Sequence, residues 1–266
     1  MHGRASLWVA VAAWLIGCAA AAADDCPTPK RLAFRVEGQI QRDVTGFTQG
    51  LELHGNLLFE STGPLGGATR LNTIDRNGRV TTLANYGNAF FGEGLTILGD
   101  RIFQLSWQDH KVFVYDLTGK RLREMRNTRE GWGLTNDGTH LIFSDGGDRL
   151  YFADPATFVV KRSVQVHLGR QSLAALNELE YVDGKVYANV FLTDAIVRIA
   201  PESGCVEATA DLSVLWGLIP PQERTRLRSQ GDFVLNGIAY DRGNGLFYLT
   251  GKNWKTIFLG RFSDAE

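Results

Sequence analysis

The sequence predicts an all-β fold, a five-bladed β-propeller, from a recurring phrase and its spacing. Phe47-Thr48-Gln49-Gly50-Leu51, Phe91-Gly92-Glu93-Gly94-Leu95 and Glu130-Gly131-Trp132-Gly133-Leu134 each set glycine beside polar or aromatic residues ahead of an apolar run. Leu176-Asn177-Glu178-Leu179-Glu180 and Leu235-Asn236-Gly237-Ile238-Ala239 open a fourth and a fifth unit. Each opening leads through a short turn, such as His54-Gly55-Asn56 or Leu98-Gly99-Asp100, into a second apolar strand. Gly50 to Gly94 is 44 residues and Gly94 to Gly133 is 39. A period of roughly 40 to 50 residues holding several strands is the mark of propeller blades. Five openings predict five blades.

The units follow in order. Blade one runs from Phe47 to about Tyr86, with Leu57–Ser61 and Arg70–Asp75 as strands and a hairpin at Asn77-Gly78, a pair that tolerates positive φ. Blade two spans Phe91 to about Asn127 and blade three Glu130 to His167. Blade four spans Asn177 to about Leu212. The pattern then breaks: Leu212 to Gln230 carries Pro220-Pro221 and a charged, non-alternating stretch. It reads as a short helical insertion between blades four and five, proline being suited to a helix start. Blade five runs from Val234 to Phe262, and the strand over residues 31–40 completes it and closes the ring.

Residues 1–23 read as a targeting segment, with Arg4, an apolar core from Leu7 to Leu15 and the alanines 19–23. The apolar core is too short for a permanent membrane span. Two cleavage readings compete: after Ala23, giving a soluble exported domain over 24–266, or before Cys18, where Leu15-Ile16-Gly17-Cys18 fits a lipidation site. Export puts Cys26 and Cys205 where disulfides persist. Ring closure by the N-terminal strand brings Cys26 to the fifth blade, beside the fourth, which carries Cys205; the alternative is two free thiols.

The chain has 266 residues, 30 of them glycine, and a formal charge of −1. That charge gives no reason to expect nucleic acid as a partner, and a monomer is expected. The five histidines show no metal spacing, and no HExxH, CxxC, G-x-S-x-G or phosphate loop occurs, so neither metal nor cofactor is expected. In a propeller the five openings converge on one mouth. They bring Phe47, Gln49, Phe91, Glu93, Trp132, Asn177, Glu178 and Asn236. Glu60, Trp107 and Lys252 end second strands at equivalent places. Glu93 stands between two glycines, where the backbone bends and a ligand can approach closely. Aromatics, amides, carboxylates and one lysine suit proton transfer on a small group.

The units FTQGL, ESTG, FGEGLT, LSWQ, EGWGLT, LNELEY, NGIAYD and TGKNW resemble the plant and bacterial glutaminyl-peptide cyclotransferases, over about residues 32–262. The resemblance implies a five-bladed propeller that converts N-terminal glutaminyl residues of peptides and proteins to pyroglutamyl, with release of ammonia and without metal. It implies Glu93 as the catalytic carboxylate and Asn177 and Lys252 as pocket members; an amide or lysine can stabilise charge at the carbonyl oxygen, which makes these two the candidates for that role. Phe47, Gln49, Phe91, Trp107 and Trp132 then form the pocket, with Glu60, Glu178, Asn236 and Trp254 as further members. Where the family often has tryptophan after Ala-Asn-Val, this chain has Phe191, which keeps an apolar wall but loses the indole N–H. Two rival readings remain: a metal-dependent lactonase-like propeller, and a non-catalytic propeller that binds peptide N-termini.

Overall fold

The computed structural model describes residues 26–265. The targeting segment and the lipidation reading at Cys18 lie outside the described residues. The all-β class is what the chain adopts, and its strands are short alternating runs joined mostly by tight turns. After β1 (Lys30–Gln41) come β2 (Phe47–His54), β3 (Leu57–Gly63), β4 (Thr69–Ile74) and β5 (Val80–Gly87), which form a four-stranded antiparallel meander. A second meander holds β6 (Gly92–Leu98), β7 (Arg101–Ser106), β8 (Lys111–Asp116) and β9 (Arg121–Arg126). A third holds β10 (Leu134–Asn136), β11 (Leu141–Phe143), β12 (Arg149–Ala153) and β13 (Val160–Gln165). A two-stranded ribbon, β14 (His167–Leu168) with β15 (Gln171–Ser172), follows it. Nothing in the hydrophobic pattern announces that ribbon, because its four residues bury no apolar face.

The remaining strands are β16 (Leu176–Val182), β17 (Lys185–Val190), β18 (Ala195–Ile199), β19 (Val206–Asp211), β20 (Leu235–Asp241), β21 (Leu246–Gly251) and β22 (Thr256–Asp264). With β1 they make an eight-stranded sheet in the order β16-β17-β18-β19-β1-β22-β21-β20. Strand β1 runs antiparallel along β22 but touches β19 in parallel through only Lys30, Arg31 and Leu32, so the sheet has a narrow seam there. Close by, Cys26 and Cys205 form a disulfide. Between β19 and β20 lie α1 (Leu215–Leu218) and α2 (Pro221–Arg228), the latter with proline at its start.

Apolar side chains collect between successive sheets rather than in one central core. Phe59, Leu71, Ile97 and Tyr115 join the first meander to the second. Phe103, Val114, Leu134 and Phe143 join the second to the third. Ile142, Phe152, Leu179 and Val197 join the third meander to the eight-stranded sheet, and Tyr187, Ile196, Phe247 and Phe258 pack between the two halves of that sheet. Ile40, Leu51, Leu58 and Tyr248 return to the first meander. The leading strands touch in the same cyclic order: β2 with β6, β6 with β10, β10 with β16, β16 with β20, and β20 with β2.

Each leading strand has one edge without a ladder partner, and buried edge N–H groups need acceptors. Side chains from strands of the neighbouring sheet, or of the other half of the eight-stranded sheet, supply them. Glu178 accepts from Leu51 N at 3.1 Å and from Ile238 N at 2.8 Å. Glu52 accepts from Ile97 N at 2.9 Å, and Glu180 from Tyr240 N at 3.1 Å. Asn189 Oδ1 accepts from Gly237 N at 3.0 Å.

Candidate active site

Irregularities in the leading strands place the site. The ladder slips between Thr48 and Gly50, between Gly92 and Leu95, between Leu176 and Leu179, and between Leu235 and Ile238. Bulges of this kind re-aim side chains that regular alternation would send elsewhere. Gln49, Glu93, Asn177 and Asn236 stand at these slips. The third sheet differs: Ser144 Oγ accepts from Gly133 N at 2.8 Å, so the ladder starts only at Leu134 and leaves Trp132 ahead of it. A Cβ on Gly94 would stand 2.6 Å from Trp132 O, and one on Gly133 only 1.9 Å from Asn177 O. Glycine at those two places lets adjacent leading strands approach closely enough to gather their side chains.

What they gather is a cavity of about 210 Å³. Phe47, Phe91, Trp107, Trp132 and Phe191 form its walls, and Gln49, Glu93, Asn177 and Lys252 supply its polar groups. The rings pack edge to face, Phe47 on Phe91 at 6.0 Å, Phe91 on Trp107 at 5.6 Å and Trp132 on Phe191 at 5.3 Å between centroids. Lys252 Nζ lies 4.8 Å from the Phe47 centroid and 4.6 Å from that of Phe191, a cation held between two π faces.

Glu93 is 4% exposed, and its Oε1 accepts from Gln49 Nε2 at 2.8 Å. Burial pushes its carboxyl well above the usual range; Lys252 and the Gln49 hydrogen bond pull the other way, and the charge of Glu130 adds to the rise. Lys252 is depressed to about 8, chiefly by burial, against the opposing pull of Glu93 and Asp232. The two groups are thus drawn towards each other, which suits proton traffic near neutral pH. Asn177 belongs to the cavity wall, and its Oδ1 is buried without a hydrogen-bond partner.

Four sequence-predicted residues are not brought to the cavity. Glu60 instead meets Arg42 Nη1 at 2.5 Å, Thr48 Oγ1 at 2.7 Å and Asn72 Nδ2 at 3.0 Å in a buried network. Glu178 is spent on the edge N–H groups of β2 and β20. Trp254 is fully buried against Trp216 and donates to Phe233 O at 3.0 Å. Asn236 stands one step behind the wall and donates to Thr48 O at 3.0 Å and Gln49 Oε1 at 3.3 Å, which orients the Gln49 amide towards Glu93.

Sequence reasoning missed Leu65 and Asp232, which also line the cavity. Both sit on connections, Leu65 after β3 and Asp232 after α2, and no local pattern reports where a connection folds back. Among the described residues no group of three or more His, Cys, Asp or Glu is placed to hold a metal.

An all-β scaffold enclosing one buried carboxylate and one buried lysine among aromatic rings falls in the class of small-ligand enzymes with a preformed apolar pocket. A family model described as glutamine cyclotransferase matches residues 9–262. The chain is 39% identical over 237 residues to the glutaminyl-peptide cyclotransferase of Arabidopsis thaliana, covering 87% of this chain and 72% of that one. The crystal structure of Myxococcus xanthus glutaminyl cyclase superposes with a TM-score of 0.77 at 31% identity, covering 90% of this chain and 100% of that one. This chain belongs to the glutamine cyclotransferase family.

Proposed function

We propose that this chain converts N-terminal glutaminyl residues of peptides and proteins to pyroglutamyl with release of ammonia, on a five-bladed propeller closed by β1. Five apolar clusters, four between successive sheets and one between the two halves of the eight-stranded sheet, together with the cyclic contacts of the leading strands, support the blade count, and α1 with α2 is then the insertion between blades four and five. One observation carries the chemistry: a single buried carboxylate, fixed by Gln49, shares an aromatic cavity with a single buried lysine.

The reaction is an intramolecular closure. The substrate's α-amine attacks its own γ-carboxamide carbon, forming an N–C bond and an oxyanion. Glu93 takes the proton that the amine loses and returns it to the carboxamide nitrogen. The C–N bond then breaks and ammonia leaves. Lys252, as ammonium, stabilises the developing oxyanion inside an aromatic-walled site. Asn177, on the cavity wall, offers its side-chain amide to the substrate's carbonyl oxygen. The aromatic walls hold the side chain curled, and the proximity gained is the largest advantage in a ring closure. Residues 1–23 serve in this reading as an export signal, which suits a chain whose two remaining cysteines are paired.

Incubation with a short Gln-initiated peptide and mass spectrometry of the product tests the proposal. A product lighter by one ammonia and blocked to Edman degradation is expected. A peptide that binds but keeps its mass would show a recognition module instead.

A further inference from the structure

Glu130 has no place in the mechanism above, yet two walls of the cavity hang on it. Its Oε2 accepts from the indole N–H of Trp107 at 2.8 Å and from that of Trp132 at 3.2 Å. Its Oε1 accepts from Gln108 Nε2 at 3.0 Å. The two tryptophans come from different sheets, one after β7 and one before β10. Each packs edge to face on a further wall ring, Trp107 on Phe91 and Trp132 on Phe191. One carboxylate therefore sets the orientation of two indoles directly and of two phenyl rings through them. The backbone around it is tied as well: Gly131 N donates to Trp107 O at 3.0 Å, and Trp107 N to Phe91 O at 3.0 Å. A Cβ on Gly131 would lie 2.6 Å from Ser106 O, so this junction is tight.

We propose that Glu130 is a positioning residue for the cyclisation: it locks Trp107 and Trp132 in the orientation that holds the glutaminyl side chain curled against Glu93. The inference rests on the function proposed above. A half-buried indole N–H seeks a partner, and without Glu130 both rings lose theirs and gain freedom to turn. The same charge acts at a distance on Glu93. Glu93 is faced by Gln49 from β2, by Lys252 from the turn after β21 and by Glu130; Lys252 is in turn faced by Asp232. Glu130 itself is faced by Gln108 and His110; burial opposes its ionisation, but the hydrogen bonds from Gln108, Trp132 and Trp107 keep its carboxyl below the usual range. It is therefore negative at working pH and disfavours the charged form of Glu93.

Three readouts separate positioning from plain structural support. Wild type, Glu130→Gln and Glu130→Leu are compared by steady-state kinetics on a Gln-initiated peptide from pH 5 to 9, and by near-UV and far-UV circular dichroism. Glu130→Leu is expected to raise KM and lower kcat, each by about tenfold, because misplaced walls cost proximity. Its tryptophan bands in the near-UV should change while the far-UV spectrum stays. Glu130→Gln keeps one acceptor oxygen and loses the charge, so its loss should be smaller. The inflection of its kcat/KM profile on the acid side of the substrate's own α-amine titration, the one that belongs to Glu93, should move to lower pH. If Glu130→Leu does not fold, Glu130→Gln decides alone through that inflection and the near-UV bands. A wild type that leaves the peptide unchanged sinks the cyclase reading and this proposal with it. A cyclising wild type whose folded variants keep its KM, acid-side inflection and near-UV spectrum overturns this proposal alone.

Discussion

Gln49 Nε2 donates to Glu93 Oε1 at 2.8 Å, across 44 residues of chain and between the leading strands of two different sheets. Both residues stand at ladder slips, and Asn236 holds the far end of the Gln49 amide. One carboxylate oxygen is thereby fixed by protein, while the residue forms part of the cavity wall. Glu93→Gln keeps the size and an acceptor for Gln49 but cannot take a proton. We expect kcat to fall by about 10² to 10⁴ with an unchanged circular dichroism spectrum. Substrate affinity should change far less, since the aromatic rings make most of the contact. A folded Glu93→Gln variant with near wild-type turnover would move the proton transfer to another group.

Lys252 gives a prediction with a sign in pH. Its ammonium, depressed to about 8, is present below that pH and lost as pH rises through it. Its contribution to oxyanion stabilisation therefore fades on the alkaline side. The substrate's α-amine acts in the opposite sense, because it titrates near ~7.7 to 8.0 and must be neutral to attack. Wild-type kcat/KM should pass through a maximum near that range. Lys252→Met should lose roughly 10² to 10³ in kcat and continue to a plateau at high pH instead of falling. A Lys252→Met profile that still falls above pH 8 would assign the alkaline limb elsewhere.

The all-β class, and most of the residues that line the cavity, were legible in the sequence for one physical reason. The bulged leading strands need glycine at close approaches, and that need writes the same phrase near Gln49, Glu93, Trp132 and Asn236. Glu60 was misplaced because its strand end fits a group at the mouth, whereas Arg42, from the connection before β2, captures it. Glu178 follows Asn177, and only the slip in β16 decides that one serves the cavity and the other the edge N–H groups. Asp232 and Leu65 depend on how connections fold back, which no periodicity encodes. Glu130 was visible in the third opening, but its bond to Trp107 spans two sheets and has no local signature.

The Arg42–Glu60 pair is the clearest structural prediction. Both side chains are essentially fully buried, at 0% and 1% exposed, and Arg42 also donates to Trp254 O. Removing one partner leaves the other charge buried without compensation. Glu60→Ala should cost about 3 to 5 kcal/mol in urea unfolding. The folded fraction should still cyclise substrate, since Glu60 is away from the cavity. A loss of kcat with unchanged stability would return Glu60 to the site.

Stability should also depend on pH through the buried glutamates of the leading strands that do not line the cavity. Burial raises Glu52 to about 7, against the hydrogen bonds from Thr96 and Ile97, and raises Glu178 and Glu180 as well. A carboxyl whose folded pKa lies above its unfolded value binds more protons in the folded state within that window. Stability is then full below about pH 4.3 as far as these groups decide, and falls as pH rises through about 7. Glu52 and Glu180 titrate as a pair, so Glu52→Gln should flatten the fall rather than abolish it. Thermal unfolding of both proteins from pH 5 to 8 checks this, and parallel curves would refute it.

The last prediction concerns the seam. Strand β1 holds β22 along most of its length but meets β19 through three residues only. The Cys26–Cys205 bond crosses the same gap and closes 179 residues of chain. A cross-link over so long a loop removes much freedom from the unfolded chain, and losing it should cost about 2 to 5 kcal/mol. The loss should be local first. With the bond cut, the three-residue parallel ladder alone joins β1 to β19, while the four-stranded meanders keep all their contacts. In a Cys26→Ser, Cys205→Ser variant, hydrogen exchange should therefore accelerate in Lys30–Leu32 and Ala208–Ala210 well before it does in β6 to β8. Intact mass before and after reduction and alkylation establishes the bond itself. Exchange that rises uniformly over the chain would mean that the bond acts on global stability alone, and that the seam is no weaker than the rest of the eight-stranded sheet.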